Sequence, residues 1–453
     1  MQKPHYRRTA DRATIRMSDG FANVVANIGT GRDKAAHGGY YVRTLSSAEA
    51  LAAYRTAWLP RKIVDIIPLD ATRRWRAWQA DPVQTSAIEA EENRLGLRIK
   101  LKQALTAARL YGGAAIYIGT GEATVDQPLS LDGMGLGGVR HLTVVPADQL
   151  TVGDLSDDPE DEGFGLPGWY EIAGKRGVRI HPSRLAVFHG ATLPVGSMHW
   201  TGWGDSVLQP LMQAIMQADG TAANIASLIY EAKTDVLHIP RLMELLEAEG
   251  GEAQVSRYLL TLAIAKGNNG MLVLDGGDTG AADSKSGGTK YDQKTASFGG
   301  LAEIWDRALQ AVAGAADIPA TRLMGMSPAG MNATGESDVR AYYDRVQAMQ
   351  ELEITPAIHA LDECLIRSAL GSRPDDIHYL WRSLWQTTDK ERVEVGKATA
   401  EIIATLKSAE VLPIETLGAA AANAMIETGA LPGLEAAIED YGTDLFAPDD
   451  DEV

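Results

Sequence analysis

The sequence predicts an α+β protein that is built from several structural units. Apolar residues recur at helical spacing within residues 46–112 and again after residue 205, and short β-rich runs separated by Gly, Asp and Pro lie between them. With 453 residues, the chain is long enough for about three domains of roughly 150 residues each. We therefore expect helices and small sheets in more than one unit.

The composition excludes several protein classes. Hydrophobic residues make up 45% of the chain and charged residues 23%, values that are typical of a globular protein. No apolar run approaches the ~18 residues of a membrane span, so we expect neither a secreted nor a membrane-embedded protein. Cys364 is the single cysteine, and no Cys or His cluster has zinc spacing. The sequence predicts a protein of a reducing cytosol without metal or other cofactor.

The charge is strongly acidic. The chain has 42 basic and 60 acidic residues, a formal net charge of −18, so its surface repels a polyanion on average. Eight acidic residues lie in the last 19 positions, and no Lys or Arg follows Lys407, which predicts a solvated acidic tail at 442–453. Tight binding to nucleic acid is therefore not expected. An acidic protein can still let DNA pass through a channel, because a repulsive wall prevents sticking.

The N-terminal half divides into an arm and a mixed unit. Residues 1–45 mix Gly, Ser, Arg and His without a sustained period, which predicts a flexible arm. From Ser47 onward, apolar spacing predicts two short helices that meet at Pro60. Residues 85–112 predict one helix that Gly112 or Gly113 ends in the left-handed conformation. The β-rich runs follow this helix, so residues 46–200 are expected to form one mixed α/β unit.

A long helix and an inserted module are expected next. Residues 201–234 predict a helix with one apolar stripe, capped by Asp205 or Gln209, and no Lys or Arg occurs between positions 191 and 232. Residues 235–298 predict a small module with the strands VLHIP and MLVLD, a helix between them and a Gly/Ser-rich loop. That loop carries lysines that we expect to dock partners rather than to stabilise the fold, namely Lys285, Lys290 and Lys294.

The C-terminal part is expected to be mainly helical. Residues 299–317 predict a second one-sided helix, and the Pro, Gly, Ser and Asn content of 318–336 predicts a loop. A long helix is then expected to kink at Pro356, because proline lacks the N–H that an interior helical position donates. The remaining expected parts are a return strand IHYLWRSL that closes the unit at 337–390, a helical region at 391–441 and the acidic tail.

Two strings imitate catalytic sites. The string GMGLGG at 133–138 satisfies the dinucleotide-binding pattern, but its strand comes after it and not before, so a flexible loop is favoured. Gly-Asp-Ser at 204–206 resembles a serine esterase block, with Asp375 and His378 downstream as candidate partners. Ser206 lies at a predicted helix start, where Asp205 is adequately explained as a capping residue.

A pair of histidines and a basic aromatic segment complete the candidates. His141 and His181 each begin an H-x-[ST] string, the pattern of two-histidine phosphoesterases, although a turn histidine is the favoured interpretation of His181. Basic residues and tryptophans alternate near residue 75, where they could bind nucleic acid or form a subunit interface. The net charge favours the interface, with Arg73, Arg74, Trp75 and Trp78 as its residues.

Several stretches together resemble a phage portal protein, of the family that shares its domain with certain anti-CBASS proteins. They cover most of residues 47–370, and the longest, which begins at Asp317, is the most specific, because its motifs occur in this order in few families. The stretches are LPRKIVDIIPLDATRRWRAW, LYGGAAIYIG, IHPSRLAVFHG, WGDSVLQPL, GMLVLDGG and DIPATRLMGMSPAGMNATGESDVRAYYDRVQAMQE.

The resemblance implies a portal-type fold and a place in a virion. Residues 46–200 and 337–390 would form the wing, 201–234 and 299–317 the stem helices, 235–298 the clip and 391–441 the crown. A homo-oligomeric ring, commonly a dodecamer, would stand at the portal vertex of the capsid and form the channel for DNA packaging and ejection. Residues 318–336 would be the tunnel loop that faces DNA, through Met324, Met326, Ser327, Met331, Asn332 and Thr334.

The resemblance also implies partners and the absence of catalysis. The ring would assemble in the cytoplasm of the bacterial host, pass double-stranded DNA without sequence preference, and contact no membrane. Its protein partners would be further copies of itself, the terminase large subunit, the head-tail adaptor, and the major capsid or scaffold protein. The alternatives that the residues leave open are a hydrolase using Ser206 or the His141 and His181 pair, and another virion protein that interacts with the head.

Overall fold

A computed structural model describes most of the chain from Thr44 to Ile438. Its gaps are at 123, 132, 161–162, 175–176, 195–200, 231–232, 239–241, 266–289, 296–298, 326–334, 386–388, 410–412, 429–432 and 435–436. The arm predicted at 1–45, except for its last two residues, and the acidic tail lie outside this part. No helix in the described ranges is both long and apolar enough to cross a membrane.

The described residues form helices and four small sheets of two or three strands, which confirms the α+β prediction. The helices are α1 Ser47–Thr56, α2 Trp58–Arg73, α3 Pro82–Leu95, α4 Leu97–Tyr111, α5 Met212–Tyr230, α6 Leu242–Glu247, α7 Gly251–Ala265, α8 Leu301–Ala316, α9 Ala320–Met324, α10 Glu336–Met349, α11 Thr355–Leu370, α12 Asp389–Ser408 and α13 Ile414–Thr428. The strands are β1 Arg76–Gln79, β2 Gly113–Gly119, β3 His141–Pro146, β4 Leu150–Val152, β5 Tyr170–Ile172, β6 Arg179–Ile180, β7 Leu185–His189, β8 Lys233–His238, β9 Lys290–Thr295 and β10 His378–Trp381.

The first helices divide at positions other than those predicted. The break between α1 and α2 is at Ala57, not at Pro60, because Pro60 lies in the first turn of α2, where its missing N–H has no intrahelical partner in any case. The helix also continues past Pro68. The single helix predicted at 85–112 is two helices, since Gly96 adopts the left-handed conformation between α3 and α4.

The strand β2 is at the centre of the main sheet. It pairs antiparallel with β3 on one side and β7 on the other, and all of its residues except Tyr117 are buried. Strands β4, β5 and β6 form a second antiparallel sheet. One hydrophobic cluster joins side chains of both sheets, namely Ala115, Val145, Leu150, Tyr170, Ile180, Leu185 and Trp203. The predicted β-rich unit therefore has a real core.

The long helix near residue 350 has a π-helical interruption. Helices α10 and α11 are continuous through a π-helical segment, Gln350–Ile354, that ends two residues before Pro356. Proline at 356 cannot donate to the carbonyl of Leu352, four residues earlier, so the regular α-helical pattern cannot continue there. The predicted helix is thus confirmed over 337–370, and its irregularity lies just before the proline. Strand β10, the predicted return strand, pairs with β1.

The described residues between 205 and 317 form the helices α5 to α8 and a small sheet. Helix α5 begins at Met212, later than predicted, because Asp205 is held in a backbone bridge with Ala191 and does not cap it. Helices α5 and α8 pack against each other. Strand β9 pairs antiparallel with β8, so the loop predicted there is wrong for Lys290 and Lys294, which belong to a strand. The predicted strand MLVLD and Lys285 lie outside the described residues.

We predict that Gly112→Ala destabilises the protein more than Gly96→Ala. Both glycines have positive φ angles, 87° and 64°, so alanine costs about 1 kcal/mol at either position through the backbone alone. At Gly112, a Cβ atom would also lie 2.2 Å from the carbonyl oxygen of Gly204, whereas nothing lies within 4 Å at Gly96. Denaturant unfolding should show an extra loss of roughly 1–3 kcal/mol for Gly112→Ala. Equal losses would contradict the close approach.

Candidate functional site

The buried carboxylate of Asp70 joins three helices. Asp70 lies in the last part of α2 and is completely buried. The guanidinium of Arg322, from α9, donates to both of its oxygens at 3.1 and 2.9 Å, and the hydroxyl of Tyr342, from α10, donates at 2.8 Å. Arg73 lies 3.7 Å away on the next turn of α2. These three partners supply the hydrogen bonds and positive charge that a buried carboxylate requires.

The charges of this cluster shift the pKa values of its members. Burial, and then the charge of Asp70, raise the pKa of Tyr342 well above its ordinary value, so this hydroxyl remains a donor at neutral pH. The hydrogen bond to Asp70 raises the pKa of Arg322 in spite of partial burial. Asp70, Arg322 and Tyr342 therefore form a fixed acceptor with two fixed donors. We call this cluster the Asp70 hub, and its hydrogen bonds give it a structural role.

Further hydrogen bonds fix both sides of the segment 325–335. On the α9 side, the ammonium of Lys62 donates to the carbonyl of Leu323 at 2.9 Å, and the helix ends at Gly325 with a φ of 72°. On the α10 side, the buried amide of Gln350 donates to the carbonyl of Ala71 at 2.7 Å. Helix α2 thus holds the elements that precede and follow this segment.

A second buried charge cluster is centred on Arg76, the first residue of strand β1. The guanidinium of Arg76 on β1 is fully buried and contacts Glu92 of α3 and Asp362 of α11, each at 2.7 Å. It also stacks over the rings of Trp78 and Tyr379, at 4.6 and 4.3 Å from their centroids. Burial raises the pKa of Asp362, and Arg76 opposes that rise. The two clusters tie the N-terminal elements to α9, α10, α11 and β10.

The predicted interface residues have partners within the chain. Arg73 donates to the carbonyl of Leu384 and stacks on Tyr343, and Trp75 donates to Glu92 at 2.8 Å. Trp78 is buried with 6% exposure, so its side chain packs inside one chain, and the prediction of an interface role is wrong for this residue. Arg74 remains exposed, although it donates to the carbonyl of Ser383, and for Arg74 the interface stays a prediction.

The predicted loop residues are only partly described. Met324 is the last residue of helix α9, so the loop begins at Gly325 and not before it. The N–H of Gly325 donates to the carbonyl of Thr321, which completes the last turn of the helix. The other predicted residues lie outside the described part of the chain, namely Met326, Ser327, Met331, Asn332 and Thr334.

The described residues do not place the candidate catalytic residues in an arrangement that supports catalysis. The Ser206 hydroxyl donates to the carbonyl of Arg109 and accepts from the N–H of Leu208, so both of its described partners are backbone groups. His141 begins β3 in the main sheet, whereas His181 follows β6 of the second sheet and bonds Ser183 through Nδ1 at 2.8 Å. The glycine-rich string at 133–138 packs on the end of α11, where Gly137 donates to the carbonyl of Ser368. None of these arrangements is a catalytic constellation.

Residues 48–405 match the family model that is described as Phage portal protein. The chain belongs to the phage portal protein family. This membership confirms the resemblance that the sequence motifs predicted. The Asp70 hub lies inside the matched region, and two of its members, Arg322 and Tyr342, come from the portal motif that begins at Asp317.

Two relatives of this portal-family chain carry the name Anti-CBASS protein Acb1. One, from Caulobacter sp. (strain RHG1), is 42% identical over 436 residues, which is 94% of this chain and 69% of that protein. The other, from Sphingomonas paeninsulae, is 39% identical over 439 residues, which is 96% of this chain and 69% of that protein.

The similar solved structures are more distant in sequence. The neck of a native gene transfer agent particle, computed with C12 symmetry, gives a TM-score of 0.47 at 16% identity and covers 90% of this chain and 98% of that chain. An HK97 family phage portal protein from Corynebacterium diphtheriae gives a TM-score of 0.36 at 14% identity and covers 76% of this chain and 99% of that chain.

Sequence reasoning missed the residues of both charge clusters. Asp70, Arg76, Arg322 and Tyr342 all lie inside the quoted portal motifs, but the motifs did not indicate that these residues take part in charge clusters. The available signal was a charged residue inside an apolar periodic run, as Asp70 is within IVDIIPLDATR. That signal indicates a need for a partner and does not identify which residue supplies it.

We predict that Asp70→Asn destabilises the protein by roughly 2 kcal/mol or more. Asparagine is neutral, so it removes the charge that Arg322 pairs with at a completely buried position and leaves the half-buried guanidinium without its carboxylate. The matched control is Asp344→Asn on the exposed face of α10, which should change the free energy of unfolding by less than about 0.5 kcal/mol. Denaturant titration measures both, and similar small losses would show that the hub contributes little.

Proposed function

We propose that this protein is the subunit of a homo-oligomeric portal ring at a capsid vertex, which forms the channel for DNA packaging and ejection. The family match over residues 48–405 carries this proposal. The proposed assembly has twelve copies, forms in the cytoplasm of the bacterial host and is incorporated into the virion. The role is that of a structural protein, so no catalytic group is required.

The α5 and α8 helices support ring formation. Each buries one stripe within the chain, through residues such as Ile215 on α5 and Leu309 on α8. Each also leaves large apolar side chains exposed, and Met216 is 62% and Ile304 56% exposed. Apolar surface on two packed helices favours association with a further copy, and a head-to-tail contact of this kind closes into a ring when its rotation permits. We assign α5 and α8 to the stem.

The charge distribution supports a DNA channel. Residues 191–232, which include α5, contain no Lys or Arg, and the chain as a whole carries a net charge of −18. A wall without a row of cations releases no bound counterions from DNA and so does not hold it. We assign the segment 325–335 to the tunnel loop, and the Asp70 hub then anchors that loop at both ends. The hub would then give the loop a rigid support while a DNA duplex moves past it.

The module at 235–298 fits the proposed clip. Its strand β9, which pairs with β8, contains Lys290 and Lys294, two residues of the lysine set that we expect to dock the terminase large subunit and the head-tail adaptor. The capsid or scaffold protein would contact the outer surface of the ring, and Arg74 is our candidate for subunit contact. Two relatives carry the name Anti-CBASS protein Acb1, which raises an anti-CBASS role as a second candidate, but the described residues supply no geometry that favours it.

We predict that purified protein forms rings and that Ile304→Asp weakens them. A carboxylate at this position would have to lose its water in the stem interface, which opposes association. The matched control is Gln310→Asp, which adds the same charge to an exposed polar position of α8 and should leave assembly unchanged. Mass photometry measures the distribution of oligomers. A wild-type protein that stays monomeric at high concentration and varied salt would count heavily against the ring.

We predict that Asn332→Lys slows DNA movement through the particle. Repeated around the ring, the lysine would form a cationic collar that contacts phosphates, and the delay should fall as salt screens it. Asn332→Gln is the matched control, because it changes side-chain size without charge. Packaging and ejection rates of mutant particles measure the effect. Wild-type rates at low salt would show that this segment does not touch DNA.

A further inference from the structure

Helix α12 carries two adjacent stripes at heptad spacing. The first stripe, Gly396, Thr399, Ile403 and Leu406, is buried or half-buried. The second stripe, Val395, Ala398, Ile402 and Thr405, is exposed along its whole length, with Val395 at 43% and Ile402 at 60%. Both stripes repeat at intervals of three and four residues, the spacing of a helix that packs on another helix.

Helix α13 accounts for the first stripe only. Helices α12 and α13 pack as a hairpin, and Leu417 of α13 is buried with 4% exposure. A helix with two apolar stripes is typical of a bundle with more than two helices, in which it packs against two neighbours. Among the described residues, the second stripe remains exposed to solvent. Two aliphatic knobs one heptad apart, Val395 and Ile402, are thus available for another helix.

Helix α13 also has an exposed side, which offers a candidate surface for the α12 stripe. Its exposed residues Thr416, Ala420 and Asn423 recur at positions i, i+4 and i+7, so they form a stripe of small side chains. A closed ring of identical subunits needs two different surfaces on each copy, one that fits the other on the next copy. The hairpin supplies such a pair, because exposed aliphatic side chains lie on α12 and exposed smaller side chains lie on α13.

We propose that the Val395–Ile402 stripe of α12 packs on the Thr416–Asn423 face of α13 in the neighbouring copy. The occupant is a second copy of this chain, so the inference rests on the proposed ring. Alternating α12 and α13 helices would then form a continuous belt of hairpins around the assembly. The belt is a contact separate from that of α5 and α8, because it uses residues that follow position 388.

Disulfide cross-linking tests this contact. The double variant Ile402→Cys with Ala420→Cys should give a ladder of covalent oligomers under mild oxidation, since each cysteine faces its counterpart in the next copy. The matched control combines Ala404→Cys with Ala420→Cys. Ala404 is also exposed on α12 but lies about 160° from Ile402 around the helix, so no ladder is expected. The native Cys364 is buried and stays reduced in both variants.

Charge and truncation variants give an independent measurement. Ile402→Asp and Ile402→Ala should each raise the protein concentration at which half of the rings dissociate, by roughly tenfold for the charged variant, whereas Ala404→Asp should not. Intact rings without a ladder, together with equal effects of Ile402→Asp and Ala404→Asp, would overturn this inference and leave the proposed ring standing. Protein that shows no ring in any variant or in the wild type would overturn the proposed ring and this inference with it.

Discussion

The constraint on which the rest of the structure depends is the burial of the Asp70 carboxylate. A carboxylate without water must be given donors and positive charge, and here they come from Arg322 and Tyr342, which lie 252 and 272 residues further along the chain. The chain therefore cannot complete its N-terminal core until its later helices return to it. Arg76 imposes the same condition through Asp362, 286 residues away. Burial of Asp70, Arg76 and Asp362 thus sets which distant segments must meet.

This closure explains how a large insertion is tolerated. Helices α5 and α8, with the module between them, occupy the chain between the N-terminal sheets and the returning helices. Their two ends are fixed by the packed core, since Asp205 bridges to Ala191 and the α9 turn is held by the Asp70 hub. Loop closure becomes only slowly more costly as a loop lengthens. A core whose ends are held in this way therefore accommodates a long insertion at little extra cost in chain entropy.

Sequence patterns predicted the features that depend on local periodicity. The strands β2, β3 and β7 and the long helix from 336 to 370 follow from apolar spacing, and the portal motifs identified the family. The break at Gly96 was missed because the apolar period continues across it, and β9 was missed because KYDQKT lacks a hydrophobic pattern. The charge clusters were beyond reach for a physical reason: pairing between residues more than 250 positions apart is decided by the tertiary fold. Local propensity carries no information about it.

The π-helical segment at Gln350–Ile354 fixes a phase relation between two halves of one helix. A π turn holds one residue more than an α turn, and each residue advances an α-helix by about 100°. In the present phase, α11 directs Asp362 to Arg76 while α10 directs Tyr342 to Asp70. With one residue fewer in this segment, only one of those side chains could meet its partner. The segment thus sets the rotation of α11 relative to α10 about their common axis. Deletion of a single residue within Gln350–Ile354 would change that rotation by about 100°.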